Sequence, residues 1–240
     1  MRLLVDMGNT RLKWAMAENQ SVLAGEALLN EAINQQTLLN LWQPITPPQC
    51  IVIACVTANQ RLELITKVAL NLWANIEIIQ VTAQKQGFGV TNAYAQPEKL
   101  GVDRWLALIA ARQLYATPVC VVDCGTAITV DLMNADGQHT GGLISAGLAL
   151  MKQSLARGTN ALPFTMTDYE LKPANNTEAA IYSGTLWAAV GLIEQVLAKQ
   201  SSPFTVLLTG GDAQLIAQYL SVGCVVDADL VLRGLAIIAD

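Results

Sequence analysis

Histidine is nearly missing from this chain: His139 is the only one in 240 residues. Its place beside the turn Asp136-Gly137 predicts a surface hairpin position, and metal centres built on imidazole are disfavoured. Charge is scarce too, with 14 % Asp, Glu, Lys and Arg, a net charge of −5 and no basic run. Nucleic acid and anionic membranes are poor partners for such a surface. No apolar segment approaches the ~18 residues of a membrane span. Asp6 and Asn9 interrupt the N-terminal stretch before a signal-peptide core can form. Cysteines number five, at positions 50, 55, 120, 124 and 224. On a strand, Cys120 and Cys124 stand roughly 13 Å apart, beyond the ~7 Å reach of a disulfide. Buried free thiols in a reducing cytoplasm are therefore expected. Two phosphate-binding signatures are missing as well. Neither G-x-x-x-x-G-K-[ST] nor a G-x-G-x-x-G at a strand–helix junction occurs, which disfavours a P-loop kinase and a Rossmann dehydrogenase.

What the chain has in abundance is apolar residues, at 52 %. That exceeds an ordinary soluble domain, so a large core and a buried subunit interface are expected, and disorder is excluded. Short Val/Ile/Leu-rich runs predict strands at 2–6, 11–17, 50–55, 76–81, 118–123, 127–133, 139–144, 204–209 and 223–226. Helical spacing lies between several of them. Residues 58–73 place Leu62, Ile65, Val68, Ala69 and Leu72 on one face. Further helices are expected from Pro97 to about Tyr115, over 177–199 and over 228–239. Strands alternating with helices predict an α/β fold, and two strand–turn–strand hairpins make each sheet mixed.

An internal echo organises these elements. Asp6-Met7-Gly8-Asn9-Thr10 returns half a chain later as Asp123-Cys124-Gly125-Thr126, each between two strand-like runs. Chance similarity of a short pattern is one account. The simpler one is two similar lobes, 1–115 and 116–240, each opening with a hairpin whose turn carries D-x-G. A carboxylate at a strand end can hold a hydrated cation. The glycine after it lets backbone N–H groups approach a phosphate, and Lys13 can add a point charge. The two turns, facing each other across a cleft, could clasp a polyphosphate.

Two more stretches carry chemistry. Thr209-Gly210-Gly211-Asp212 joins a strand to a helix and admits close approach of a flat or phosphate-bearing ligand. A plain tight turn is an equal reading. In Gly101-Val102-Asp103-Arg104-Trp105, Asp103 is either an ordinary acid at a helix N-terminus or an oriented base for a hydroxyl proton, with Tyr94 upstream. Trp105 is expected in the core. The helix over 177–199 carries Ala180, Ile181, Leu186, Trp187, Val190, Leu192 and Ile193 on more than one face. It is either packed between the lobes or paired across a two-fold interface.

Taken together, DMGNTRLK, Tyr94 with GVDRW, DCGTAITVD and GGLISAGLALM resemble type III pantothenate kinases, of the acetate and sugar kinase, Hsp70 and actin superfamily. The likeness extends to SGT at 183–185, TGGDA at 209–213 and the closing DLVLRGL. It implies two actin-like (ribonuclease H-like) lobes with the active site in the inter-lobe cleft. The implied activity is ATP-dependent phosphorylation of pantothenate, the first step of coenzyme A biosynthesis. By the same resemblance, Asp6, Met7, Gly8, Asn9, Thr10, Arg11, Leu12 and Lys13 form the ATP phosphate turn. Acids beside a triphosphate need positive charge between them, so Mg²⁺ is expected there, with Asp6 holding it through water. Thr126 is a further ATP contact, and Asp123 binds a monovalent cation, K⁺ or NH₄⁺. Asp103 is the catalytic base. Tyr94, Gly101, Val102, Asp103 and Arg104 contact pantothenate, joined by Thr185 from the second subunit of a homodimer. CVTANQ at 55–60 departs from the Val-Pro ending associated with that strand. A non-catalytic accessory protein of the same fold, or a kinase of another small hydroxylated metabolite, are the alternatives.

Overall fold

The computed structural model describes residues 1–56 and 59–240. Thr57 and Ala58, inside the departing CVTANQ stretch and at the expected start of a helix, lie outside the described residues. Two compact units form: Met1–Leu114 with Asp229–Asp240, and Tyr115–Ala228.

The first unit is built on β1 (Arg2–Met7), β2 (Arg11–Glu18), β3 (Ser21–Leu29), β4 (Cys50–Cys55) and β5 (Glu77–Gln80), in the order β3-β2-β1-β4-β5. β1 runs antiparallel to β2 and parallel to β4, and β2 is antiparallel to β3. Strand alternation sends Leu3, Val5 and Met7 to one face, where they meet Leu12, Trp14, Ile51 and Ile53. Helices α1 (Gln35–Trp42) and α2 (Asn59–Leu72) cover that face through Leu38, Trp42, Ile65, Val68 and Ala69. The two-residue strands β6 (Gln86–Gly87) and β7 (Val90–Thr91) pair into a small hairpin, and helix α3 (Val102–Leu114) follows a short 3₁₀ turn at Pro97–Lys99. Trp105, in α3, is 1 % exposed.

The second unit repeats the plan. Strands β8 (Val119–Cys124), β9 (Ala127–Met133), β10 (His139–Ala146), β11 (Thr205–Thr209) and β12 (Cys224–Val226) stand in the order β10-β9-β8-β11-β12. The sense of each pairing matches its counterpart: two antiparallel, then two parallel. The echo in the sequence is thus a duplicated sheet. Its core packs Cys120, Val122, Cys124, Ile128 and Val130 against helix α5 (Thr177–Ala198), with α4 (Leu148–Gly158) and α6 (Ala213–Ala217) beside it. α5 has 22 residues and is long and apolar enough to cross a membrane, contrary to the expectation that no segment approaches that length. Tyr182, Leu186, Ala189, Val190 and Ile193 nonetheless place it in this core.

The chain then returns. Helix α7 (Leu230–Ala239), expected with the second half, belongs to the first unit, where it packs on α3 and on the sheet. Gly234 makes this possible, because a Cβ there would stand 2.2 Å from the Leu106 carbonyl oxygen in α3. Burial of Leu230, Leu232, Leu235 and Ala236 favours the packing; each large side chain contributes about 1.5–3 kcal/mol.

His139 is not a surface residue. It is 3 % exposed, and its Nε2 lies 2.9 Å from Asp131 Oδ1 on the neighbouring strand. The hairpin is where it was expected, but β10 turns this ring inward, where the carboxylate satisfies it. All five cysteines are free. Burial, then the charge of Asp131, pushes the Cys120 thiol up to about 12. Burial raises Cys124 further, aided by the carboxylates of Asp123 and Asp212.

Candidate functional site

The turn between β1 and β2 carries the first acid. Alternation turns Asp6 away from the face that holds Val5 and Met7, and the register sets it directly opposite Lys13. Met7 and Leu12 are 1 % and 0 % exposed. They offer a ligand only backbone atoms, while Asn9, Thr10 and Arg11 are exposed. The Gly8 N–H donates to Arg11 O at 3.0 Å, and a Cβ on Gly8 would come within 3.1 Å of the same oxygen. Asn30, which the sequence reading missed, organises this turn. Its side-chain amide donates to Gly8 O at 2.9 Å and Asn9 O at 2.7 Å, and its backbone N–H to Thr10 O at 2.9 Å. Three carbonyl oxygens that would repel an anion are therefore engaged elsewhere.

The second turn copies the first. Asp123 again precedes a buried residue and a glycine, and the Gly125 N–H donates to Ala127 O at 3.1 Å. Two other segments of this unit close on it. Gly147 N–H donates to Thr126 O at 2.9 Å, and Asp212 N–H to Cys124 O at 2.9 Å. Gly210, at φ 91°, lets the TGGD turn lie against Asp123; a Cβ there would stand 2.4 Å from Asp123 Oδ1 and 2.5 Å from Cys124 C. Asp123 and Asp212 both act on the Cys124 thiol, so two carboxylates gather at this turn where the sequence reading had singled out one.

A third constellation forms in the first unit. Tyr94 and residues 101–104 come together as expected. Arg104, 6 % exposed, donates from Nη1 to Tyr94 Oη at 2.9 Å, and its guanidinium carbon stands 5.6 Å from the Tyr94 ring centroid. Asp103, in the first turn of α3, accepts the Arg104 N–H at 2.8 Å. A Cβ on Gly101 would lie 2.5 Å from Asp103 Oδ1. Only glycine leaves that carboxylate where it is.

Thr185 lies on α5, in the second unit. It is 6 % exposed, and its hydroxyl donates back to Ile181 O at 2.9 Å and Tyr182 O at 3.0 Å. It lines an open, largely apolar groove with Met151, Leu155, Leu162 and Ile181. Trp187, on the same helix, is 47 % exposed.

Among the described residues, no three His, Cys, Asp or Glu side chains form a metal cage. Asp6 is a single carboxylate beside a turn whose glycine leaves room for phosphate. Such a donor suits a hard cation that keeps its waters and binds phosphate oxygens. Asp123 and Asp212 place further carboxylate oxygens, also able to take a cation, at the second turn.

The sequence model of the type III pantothenate kinase family matches residues 2–199. A type III pantothenate kinase of Nitrosococcus oceani is 38 % identical over 251 residues, covering 100 % of this chain and 94 % of that protein. A Campylobacter jejuni structure named for the Baf family of transcriptional activators superposes with TM-score 0.63 at 22 % identity, covering 98 % and 96 % of the two chains. The activator of 2-hydroxyisocaproyl-CoA dehydratase from Clostridium difficile, solved with ADPNP, gives TM-score 0.59 at 10 % identity, covering 99 % and 93 %. At these identities the two structures establish the shared two-lobed α/β fold.

Proposed function

We infer that this chain, which belongs to the type III pantothenate kinase family, phosphorylates pantothenate with ATP in the first step of coenzyme A biosynthesis. The observation that carries the reading is the Asp103–Arg104–Tyr94 constellation, in a unit that also holds the turn at residues 6–13. Phosphoryl transfer through a loose transition state asks the protein for position and charge. Asp103 accepts the proton of the pantothenate primary hydroxyl as its oxygen attacks the γ-phosphorus. The bond to the β-phosphate bridging oxygen breaks, and ADP leaves. Gly101 and the Arg104 N–H hold the Asp103 carboxylate in place. Arg104, fixed by Tyr94, offers a planar cation to the carboxylate of pantothenate.

Residues 6–13 take the outer phosphates, through backbone N–H groups and Lys13, and Thr126 is a further ATP contact. Mg²⁺, held through water by Asp6, would neutralise charge on the phosphate oxygens. K⁺ or NH₄⁺ would be held at Asp123. Thr185, in a groove on α5 with exposed Trp187 nearby, supports a homodimer in which this helix meets its counterpart and Thr185 joins the partner's pantothenate site. The cytoplasm is the compartment this reading implies. The test is mass spectrometry of purified protein incubated with ATP and a panel of primary alcohols. A product heavier by one phosphoryl group is expected from pantothenate alone. Equal or greater turnover of another alcohol, or no product from any, overturns the reading.

A further inference from the structure

Asn92 is a buried amide with no part in the chemistry so far described. It follows β7 directly and is 1 % exposed. Every polar group it owns is engaged. Its side-chain amide donates to Gln84 O and Pro97 O, each at 3.2 Å, and its side-chain oxygen accepts the Tyr94 N–H at 3.0 Å. Its backbone N–H donates to Lys85 O at 2.9 Å, and its backbone oxygen accepts Lys85 Nζ at 3.0 Å.

These bonds tie three stretches of chain to one side chain: the segment entering the β6–β7 hairpin, the 3₁₀ turn at Pro97–Lys99, and Tyr94. A core made only for stability has little use for an amide here, because leaving any of these groups unpaired is costly. What the amide accomplishes is directional. The bond from its oxygen to the N–H two residues on is an Asx-turn, which sets the backbone from which the Tyr94 ring departs. The far end of that ring is the phenol oxygen that accepts Arg104 Nη1. Tyr94 is therefore held at both ends, by Asn92 at its backbone and by Arg104 at its hydroxyl. Releasing the first hold frees the backbone from which the ring departs and so loosens the aim of the phenol at Arg104.

We propose that Asn92 is a positioning residue for pantothenate, acting through the Tyr94–Arg104 pair; this rests on the assignment of that pair to pantothenate. Two substitutions separate positioning from bulk stability. Asn92→Ala removes the Asx-turn and both bridges. Asn92→Ser loses the bridges to Gln84 and Pro97 but keeps an oxygen able to accept the Tyr94 N–H. Both variants lose stability, which urea denaturation reads. Steady-state kinetics then gives KM for each substrate. The expected result is a KM for pantothenate raised at least fivefold in Asn92→Ala and less than half as much in Asn92→Ser, with KM for ATP within twofold of wild type in both. Equal effects on the two substrates, equal pantothenate KM in the two variants, or failure of both to fold makes Asn92 a structural residue and overturns the proposal. The wild-type protein in the same assay reports on the underlying assignment. Turnover of pantothenate there with no Asn92→Ala effect sinks the positioning role alone, whereas no turnover in wild type sinks both.

Discussion

Replacing Gly101 by alanine moves the Asp103 carboxylate, the base proposed above, without touching it chemically. The new Cβ would sit 2.5 Å from Asp103 Oδ1 and 3.6 Å from its Cγ. To reach ordinary contact the carboxylate must withdraw by roughly 1 Å, a misplacement on the scale that costs about 10²-fold in rate. Gly101 is not among the glycines at positive φ, so alanine takes its backbone unstrained. Lower chain entropy in the unfolded state contributes about 0.4–1 kcal/mol. The weakened bond from Arg104 N–H to Asp103 costs about 1 kcal/mol. Stability should therefore stay near wild type while kcat, at saturating ATP and pantothenate in an ADP-release assay, falls about 10²-fold. Asp103→Asn, which keeps the shape and loses the charge, should lose about 10²–10⁴-fold. Because both changes act on one carboxylate, the double variant should fall little below Asp103→Asn alone. A Gly101→Ala protein with wild-type kcat, or fully multiplicative losses in the double variant, would refute the idea that Gly101 serves by leaving Asp103 in place.

Other outcomes follow from the remaining features. With carboxylates of Asp123 and Asp212 gathered at one turn, activity should drop when K⁺ is replaced by Na⁺ or a bulky ammonium; equal rates in potassium-free buffer would remove the monovalent site. Inactive Asp103→Asn and Thr185→Arg proteins, exchanged through mild denaturant, should regain activity in mixed dimers, since one site carries both lesions and the other neither; no recovery in verified mixed dimers would keep Thr185 out of the partner's site. Cys120 is held neutral in the folded state, its thiol pushed up to about 12, while it titrates near 8.5 when unfolded. Its contribution is complete below the unfolded value and is lost as pH climbs toward the folded one. In urea melts between those limits, Cys120→Ala should flatten the decline of stability by about 1.4 kcal/mol per pH unit; an unchanged slope would contradict the burial argument.

Strands made of Val/Ile/Leu runs were legible, as β4 and β8 show, because their composition and burial agree. β3 was not. Its sequence, SVLAGEALL, is poor in β-branched residues, and pairing with β2 decides its state. The turn before it uses Asn19 and Gln20 at φ 46° and 63°, without the glycine that marks such hairpins. α4 went unseen because Gly147, its N-cap, makes no side-chain capping bond. At the site, Asp6, Asp103 and Asp123 stand out by sequence because each lies within two residues of a glycine. Asn30 and Asn92 do not, because their worth lies in carbonyl partners up to 22 residues away. His139 misled because a ring beside an Asp-Gly turn looks wet, and only the neighbouring strand reveals Asp131.

The return of α7 to the first unit has a consequence for the birth of the molecule. Residues 115–228 form an unbroken stretch and can collapse as soon as they clear the ribosome. Residues 1–114 emerge earlier yet must wait, since the helix that covers their sheet beside α3 is translated only after residues 115–228. Translation thus delivers the halves in one order and folding completes them in the other. During that interval the sheet face that will receive Leu230, Leu232 and Leu235 is open to chaperones and to other nascent chains.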